Sequence, residues 1–168
     1  MVLQDFRTWT ETDPDTCLTV TEKRVTWTAA DGDHDSYVIR DYGSAIFIGD
    51  FTHRFKFEIT DMENGGSCAT YGIGAAADIS GGNDFICGVS GSSVAAFTLL
   101  LARADFGSFD ASAALAVDTL YFVTVTRTGT DVNLVIDTGG YGDTNVDTIT
   151  ISLVAADAYR YIITFRDD

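Results

Sequence analysis

The stretch "YFVTVTRTGTDVNLVID", Tyr121 to Asp137, is two runs of alternating side chains interrupted by small polar residues. Val123 and Val125 fall on one face of a period-2 strand, and Val132, Leu134 and Ile136 fall on one face of the next. If the two runs pair, their apolar faces must coincide, because a one-residue slip would turn one whole set toward solvent. Val125 then faces Leu134, Val123 faces Ile136, and Thr128 faces Asp131. That register leaves Gly129-Thr130 as a two-residue loop. Glycine in the first position is what a type II′ hairpin turn requires, since φ is positive there. The stretch is therefore expected to be an antiparallel hairpin with one apolar face. The other face carries Thr124, Thr126 and Asn133, as suits a sheet with one wet side.

The same grammar extends outward in both directions. "CLTVT", "RVTWTA", "SYVIRDY", "FTHRFKFEIT", "ATYGIGAAA", "DFICGVS", "VAAFTLLLAR", "DTITISLV" and "YRYIITFR" are short strand-like runs separated by Gly, Asp, Asn and Ser clusters. From Phe51 to Thr60, Phe51, His53, Phe55, Phe57 and Ile59 share one face and Thr52, Arg54, Lys56, Glu58 and Thr60 share the other. His53 thus reads as a core histidine. The continuous run "VAAFTLLLAR" suits a buried helix or a strand covered on both faces, and its strand-like surroundings favour the strand. No long 3.6-residue period with caps is present, so little helix is expected. The pattern predicts an all-β sandwich, and 168 residues suit one domain spanning 1–168.

Composition narrows the partners. The chain carries 25 acidic residues against ten Lys and Arg, a formal charge of -15. Such a surface repels phosphate backbones and anionic headgroups, which argues against nucleic acid. No apolar run reaches the roughly 18–20 residues that cross a bilayer, so no membrane insertion is expected. The start, "MVLQDFRTWTETD", has neither a basic nor an apolar segment of the secretory type, so no signal peptide is expected. Cys17, Cys68 and Cys87 are odd in number and lack CxxC spacing, which points to buried free thiols. In a simple hairpin around "DISGGN", Cys87 would face Gly74.

Three phrases in order, "RVTWTAADGDHDSYVIRDYGSAIFIGDFTHRFKFEI", "DTLYFVTVTRTGTDVNLVID" and "YRYIITFR", resemble the concanavalin A-like lectin/glucanase superfamily, particularly its laminin-G-like members. More narrowly the chain resembles lectin-like domains of phage and viral surface proteins. The resemblance implies a jelly-roll β-sandwich of two antiparallel sheets, a virion-surface or extracellular location, and a glycan or other virion proteins as partners.

That superfamily includes glucanases, whose retaining chemistry needs two carboxylates about 5–5.5 Å apart. Here "ETDPDT" offers Glu11 and Asp13 around Pro14, and "EITDME" offers Glu58, Asp61 and Glu63 at the wrong spacing. Both read as strand-end and turn acids. "GVSGS" lacks the last glycine of a hydrolase elbow, and His34 and His53 are the only histidines. The sequence reading is a lectin-like surface module that is not an enzyme, with a structural capsid decoration or assembly protein without sugar binding as the alternative and a glycoside hydrolase ranked below both.

Two loops carry the candidate site residues. In "DGDHDS", Asp31, Asp33 and Asp35 alternate before a strand; they read as a solvated acidic turn or as a calcium site, calcium being the candidate ion. In "DTGGYGDTN", glycines flank Tyr141, which is expected to be held out on the loop. Tyr141, Asp143 and Asn145 are candidates for sugar contact, the ring stacking on C–H faces and the polar groups bonding hydroxyls.

Overall fold

A computed structural model describes residues 4–14, 16–28, 36–61, 67–77 and 83–165. After a 3-10 turn at Phe6–Thr8, the described chain forms fourteen strands. They are β1 (Thr10–Thr12), β2 (Leu18–Val20), β3 (Val25–Trp27), β4 (Tyr37–Asp41), β5 (Phe51–Phe57), β6 (Ser67–Gly74), β7 (Phe85–Ser93), β8 (Ala96–Arg103), β9 (Phe109–Ala111), β10 (Leu115–Ala116), β11 (Tyr121–Thr128), β12 (Asp131–Thr138), β13 (Thr144–Ser152) and β14 (Tyr161–Phe165). An eight-stranded sheet runs in the order β1-β4-β14-β6-β7-β8-β10, with β9 also on β8; a four-stranded sheet runs β13-β12-β11-β5; β2 and β3 pair separately. The pairings are antiparallel. This is the all-β sandwich the pattern predicts, in the jelly-roll form the resemblance implies. No described helix is long and apolar enough to cross a membrane.

The hairpin β11–β12 has the expected register, with Val123 opposite Ile136, Val125 opposite Leu134 and Thr128 opposite Asp131. Gly129 sits at φ +60° and Thr130 is not at positive φ, as a type II′ turn requires. Asp50 fixes the turn by accepting the Gly129 N–H at 2.8 Å. Val123, Val125, Leu134 and Ile136 are fully buried and belong to one hydrophobic cluster with Ile73, Phe85, Cys87, Phe97, Leu99 and Leu101 of the larger sheet. Burying each such side chain contributes about 1.5–3 kcal/mol before entropy is counted. β8 carries a buried, alternating face, which settles "VAAFTLLLAR" as a strand.

Among the described residues, His53 and Arg127 bring polar groups to the inner face of the smaller sheet. His53 comes from the inner face of β5, opposite Val125. Arg127, at the end of the inner face of β11, is 1% exposed. Its guanidinium donates to the Asp157 carbonyl and lies against the rings of Phe51 and Tyr159, at 5.7 and 5.1 Å.

The β6–β7 register differs from the simple hairpin. Cys87 faces Tyr71, and Gly74 pairs with Tyr161 instead. Pairing begins at Ile73 opposite Phe85, so the connection takes up more of the β6 side than the simple hairpin assumes, and a separate irregularity lies farther along, between Ala69 and Tyr71. Cys17 is a buried free thiol, and Cys87 is fully buried.

Candidate functional site

The outer face of the four-stranded sheet is built by simple alternation. When His53, Phe55 and Phe57 point inward on β5, Thr52, Arg54 and Lys56 must point outward, and they are exposed. The pairing then writes the face in rows. Lys56 sits opposite Phe122, which sits opposite Asp137; Arg54 sits opposite Thr124, then Val135, then Thr148.

The loop between β12 and β13 folds back over these rows. Gly139 and Gly142 take φ of +80° and +76°, a region that side-chain-bearing residues resist. A Cβ on Gly139 would come within 2.4 Å of the Asp143 carboxylate. The nearly buried Asp137 accepts the Gly142 N–H at 2.7 Å, and Asp143 N–H donates to the Gly140 carbonyl at 3.2 Å. Held this way, the Tyr141 ring meets the Phe122 ring edge-on at 5.2 Å and 83°. The Arg54 guanidinium lies 5.2 Å from the Tyr141 centroid, and the Lys56 ammonium 4.8 Å from that of Phe122. Two rings and two cations thus form one cluster on an exposed sheet face.

Of the three residues suggested for sugar contact, Tyr141 belongs to this cluster, but it is half-buried on the sheet and not held out from it. Asp143 is exposed and turned back beside Gly139. Asn145 faces the chain: its amide donates to the Asp147 carbonyl at 3.0 Å and to the Ile136 carbonyl at 3.4 Å, bridging the irregularity between Ile136 and Asp137. Arg54, Lys56 and Phe122 were not singled out from sequence. Their alternation was visible, but the β5–β11 pairing that joins them was not.

Asp31, Asp33 and Asp35 lie outside the described residues. Among the described residues, no group of three His, Cys, Asp or Glu could hold a metal ion. Asp13 is engaged structurally, accepting from the Cys17 and Leu18 N–H groups and the Ser36 hydroxyl. Glu11, Glu58 and Asp61 are exposed, and Glu63 lies outside the described residues.

One described acid–base pair is internal. Tyr71 Oη and His53 Nδ1 are 2.6 Å apart, with the rings stacked at 5.6 Å and 9°. Phe55 stacks on Tyr71 at 4.4 Å, and Phe47 meets His53 edge-on at 6.0 Å. Burial disfavours both charged forms: it lowers the histidine to about 4 and pushes the phenol well above its ordinary value. Both groups are neutral near pH 7, and one proton is shared in a single hydrogen bond.

No family model matches this sequence, and no curated protein matches it. Solved structures do resemble its fold. An alginate lyase from Alteromonas sp. 272 aligns with a TM-score of 0.52 at 12% identity, over 82% of this chain and 61% of the lyase. The enzymatically active domain of tailspike protein 2 of bacteriophage CBA120 aligns with a TM-score of 0.56 at 12% identity, over 100% of this chain and 27% of that one. The full-length tailspike gives 0.56 at 11%, over 24% of its length. This chain therefore spans less than two thirds of each, and what is shared at this identity is the fold.

These likenesses correct one expectation. The sequence reading excluded catalysis, and that exclusion does not stand, because an alginate lyase shares the fold. A carboxylate pair and a hydrolase elbow serve hydrolysis. A lyase works by elimination, which needs a base for a proton and an acid for the leaving oxygen, with no carboxylate pair required.

Proposed function

We propose that this chain is a polysaccharide-recognising β-sandwich module, of the lectin-like kind carried on phage and other extracellular surfaces, and that it binds glycan on the outer face of its four-stranded sheet. The observation that carries this reading is the Tyr141–Phe122 ring pair, fixed on an exposed sheet face beside Arg54 and Lys56. Rings supply flat apolar area for sugar C–H faces, and the neighbouring cations and threonines supply donors for hydroxyls. The fold neighbours support a carbohydrate setting, one being an alginate lyase and another a phage tailspike.

Titration calorimetry against a panel of polysaccharides tests it. Phe122→Ala and Tyr141→Ala should each weaken binding about tenfold or more, the range expected when an aromatic anchor is removed. Unchanged affinity in both variants would place the site elsewhere. The same incubations, followed for ultraviolet absorbance of unsaturated sugar ends, report whether recognition is accompanied by chain cleavage.

A second reading, assembly with neighbouring virion proteins, has its own supporting observation. Across the outer face of the eight-stranded sheet one row reads Thr10, Ile39, Ile163, Gly72, Ile86, Ala102 and Phe109, with no charge in it. Phe109 is 68% exposed. Ile163, Gly72 and Ala102 are buried, so what the row offers a protein partner is the exposed Phe109 with the half-buried Ile39 and Ile86. Sedimentation of the purified chain and of Phe109→Asp tests this reading: a larger species that the substitution dissociates supports it, and a single unchanged monomer removes it.

A further inference from the structure

We propose that Arg54, Lys56, Phe122 and Tyr141 form a receptor for the anionic groups, carboxylate or sulfate, of an acidic polysaccharide. This rests on the reading of the same face as a polysaccharide site and names the class of polymer it takes.

The argument begins with how this acidic chain uses its few cations. Arg7 pairs with Asp5 and Glu22, Arg103 with Asp105, and Arg160 with Asp41. Arg40 donates to the Thr8 carbonyl, and Arg127 to that of Asp157. Arg54 and Lys56 differ from these. Neither side chain makes an ion pair or a hydrogen bond with a described residue, although the chain has 25 acids to offer. Each is held against a ring instead. A ring attracts a cation through its negative face yet accepts none of its N–H donors conventionally, so the group is positioned while its donors remain free. Positioning before binding reduces the ordering entropy that recognition would otherwise cost.

The geometry suits a chain-like ligand. Arg54 and Lys56 are two residues apart on the same face of one strand, about 6.8 Å between Cα atoms. The Phe122 and Tyr141 rings lie alongside. An anionic sugar can thus place its charged group on a guanidinium or ammonium while its ring covers an aromatic face.

Among the described residues, three carboxylates adjoin this cluster in register or in sequence. Asp137 is buried and engaged with the Gly142 N–H. Glu58, one residue past β5, and Asp143, in the loop, are exposed, and neither pairs with Arg54 or Lys56. The net charge of -15 opposes a polyanion at long range. At physiological salt that field is screened within about 8 Å, which leaves the contact charges to decide.

The test is titration of the purified chain at about 0.15 M NaCl with polygalacturonate, carboxyl-reduced polygalacturonate, dextran sulfate and dextran. An anionic polymer should bind at least about tenfold tighter than its neutral counterpart, and Arg54→Gln/Lys56→Gln should remove about tenfold of that affinity while sparing neutral binding. Binding of polygalacturonate alone identifies carboxylate as the recognised group, and binding of dextran sulfate alone identifies sulfate. If the neutral polymers bind as tightly, or the double variant keeps full affinity for the anionic ones, this inference falls while the polysaccharide site stands. If no polymer binds, both fall. Both substituted side chains are exposed, so an unchanged melting temperature confirms that the variant is folded.

Discussion

The two outer faces of this sandwich obey the same period-2 geometry and carry opposite chemistry. On the four-stranded sheet the rows read Arg54, Thr124, Val135, Thr148 and Lys56, Phe122, Asp137, Asn145. On the eight-stranded sheet the row from Thr10 to Phe109 is uncharged, and Gly72, where its centre lies, presents no side chain at all. Ile163 and Ala102, both in that row, are buried although they lie outside the central hydrophobic cluster. One face is therefore wet and chemically active, while the other behaves like a second, shallow core. Facing outward in a strand does not by itself make a residue a surface residue.

The comparison can be broken by substitution. Ile163→Ala on the larger sheet should cost about 2–4 kcal/mol of stability, as for a core residue, whereas Arg54→Ala on the smaller sheet should stay within about 0.5 kcal/mol. Chemical denaturation of the two variants checks this, and similar losses would erase the distinction between the faces.

Between the faces lies His53, and pH reads how dry that interior is. In the folded chain His53 stays neutral down to about 4, whereas the unfolded chain takes up its proton near the ordinary value of about 6.5. Over that interval the unfolded state binds more protons, so stability falls as pH is lowered from about 6.5 to 4. The loss amounts to about 3 kcal/mol at most. Between about pH 5 and 6.5 aspartates contribute little, so His53→Gln should flatten the stability profile there. An unaltered slope would mean that the histidine is solvated.

Gly129→Val should cost about 1–2 kcal/mol, because a β-branched residue resists the positive φ at that turn. Thermal melting measures it. A melt indistinguishable from wild type would contradict the type II′ geometry that sets which face of β11 and β12 points out.

The smallest effect concerns ions. With the charge at -15, added NaCl should raise the melting temperature by a few degrees at most through screening, and a chelator should leave it unchanged. A fall with chelator that calcium restores would instead make Asp31, Asp33 and Asp35 a calcium site.

How much of this was legible follows from which contacts are local. The β11–β12 hairpin was readable because its two strands are adjacent and Gly129 marks the turn. The clean alternation from Phe51 placed His53 inside and Arg54 and Lys56 outside. What failed to show were pairings between distant segments. Nothing near Lys56 announces Phe122 as its neighbour, so the site was sought in the Tyr141 loop alone. The Cys87 register went wrong for a related reason: the simple hairpin pairs residues right up to "DISGGN", whereas pairing begins at Ile73 opposite Phe85, which puts Cys87 opposite Tyr71. Arg127 occupies a core position in the alternation of β11, and the distant rings of Phe51 and Tyr159 together with the Asp157 carbonyl accommodate it there.

The place of β14 has a consequence for how the molecule is made. It is the last of the described strands in the sequence, yet it lies between β4 and β6, near the middle of the larger sheet. During synthesis from the N-terminus, β4 and β6 emerge long before the strand that joins them, and each waits with an unpaired edge exposed to other nascent chains. The hairpins β6–β7–β8 and β11–β12–β13 can form as they leave the ribosome, but closure must await Tyr161–Phe165. Closure of this sheet therefore comes late in folding, and chaperone protection of the β4 edge is where expression yield would be gained or lost.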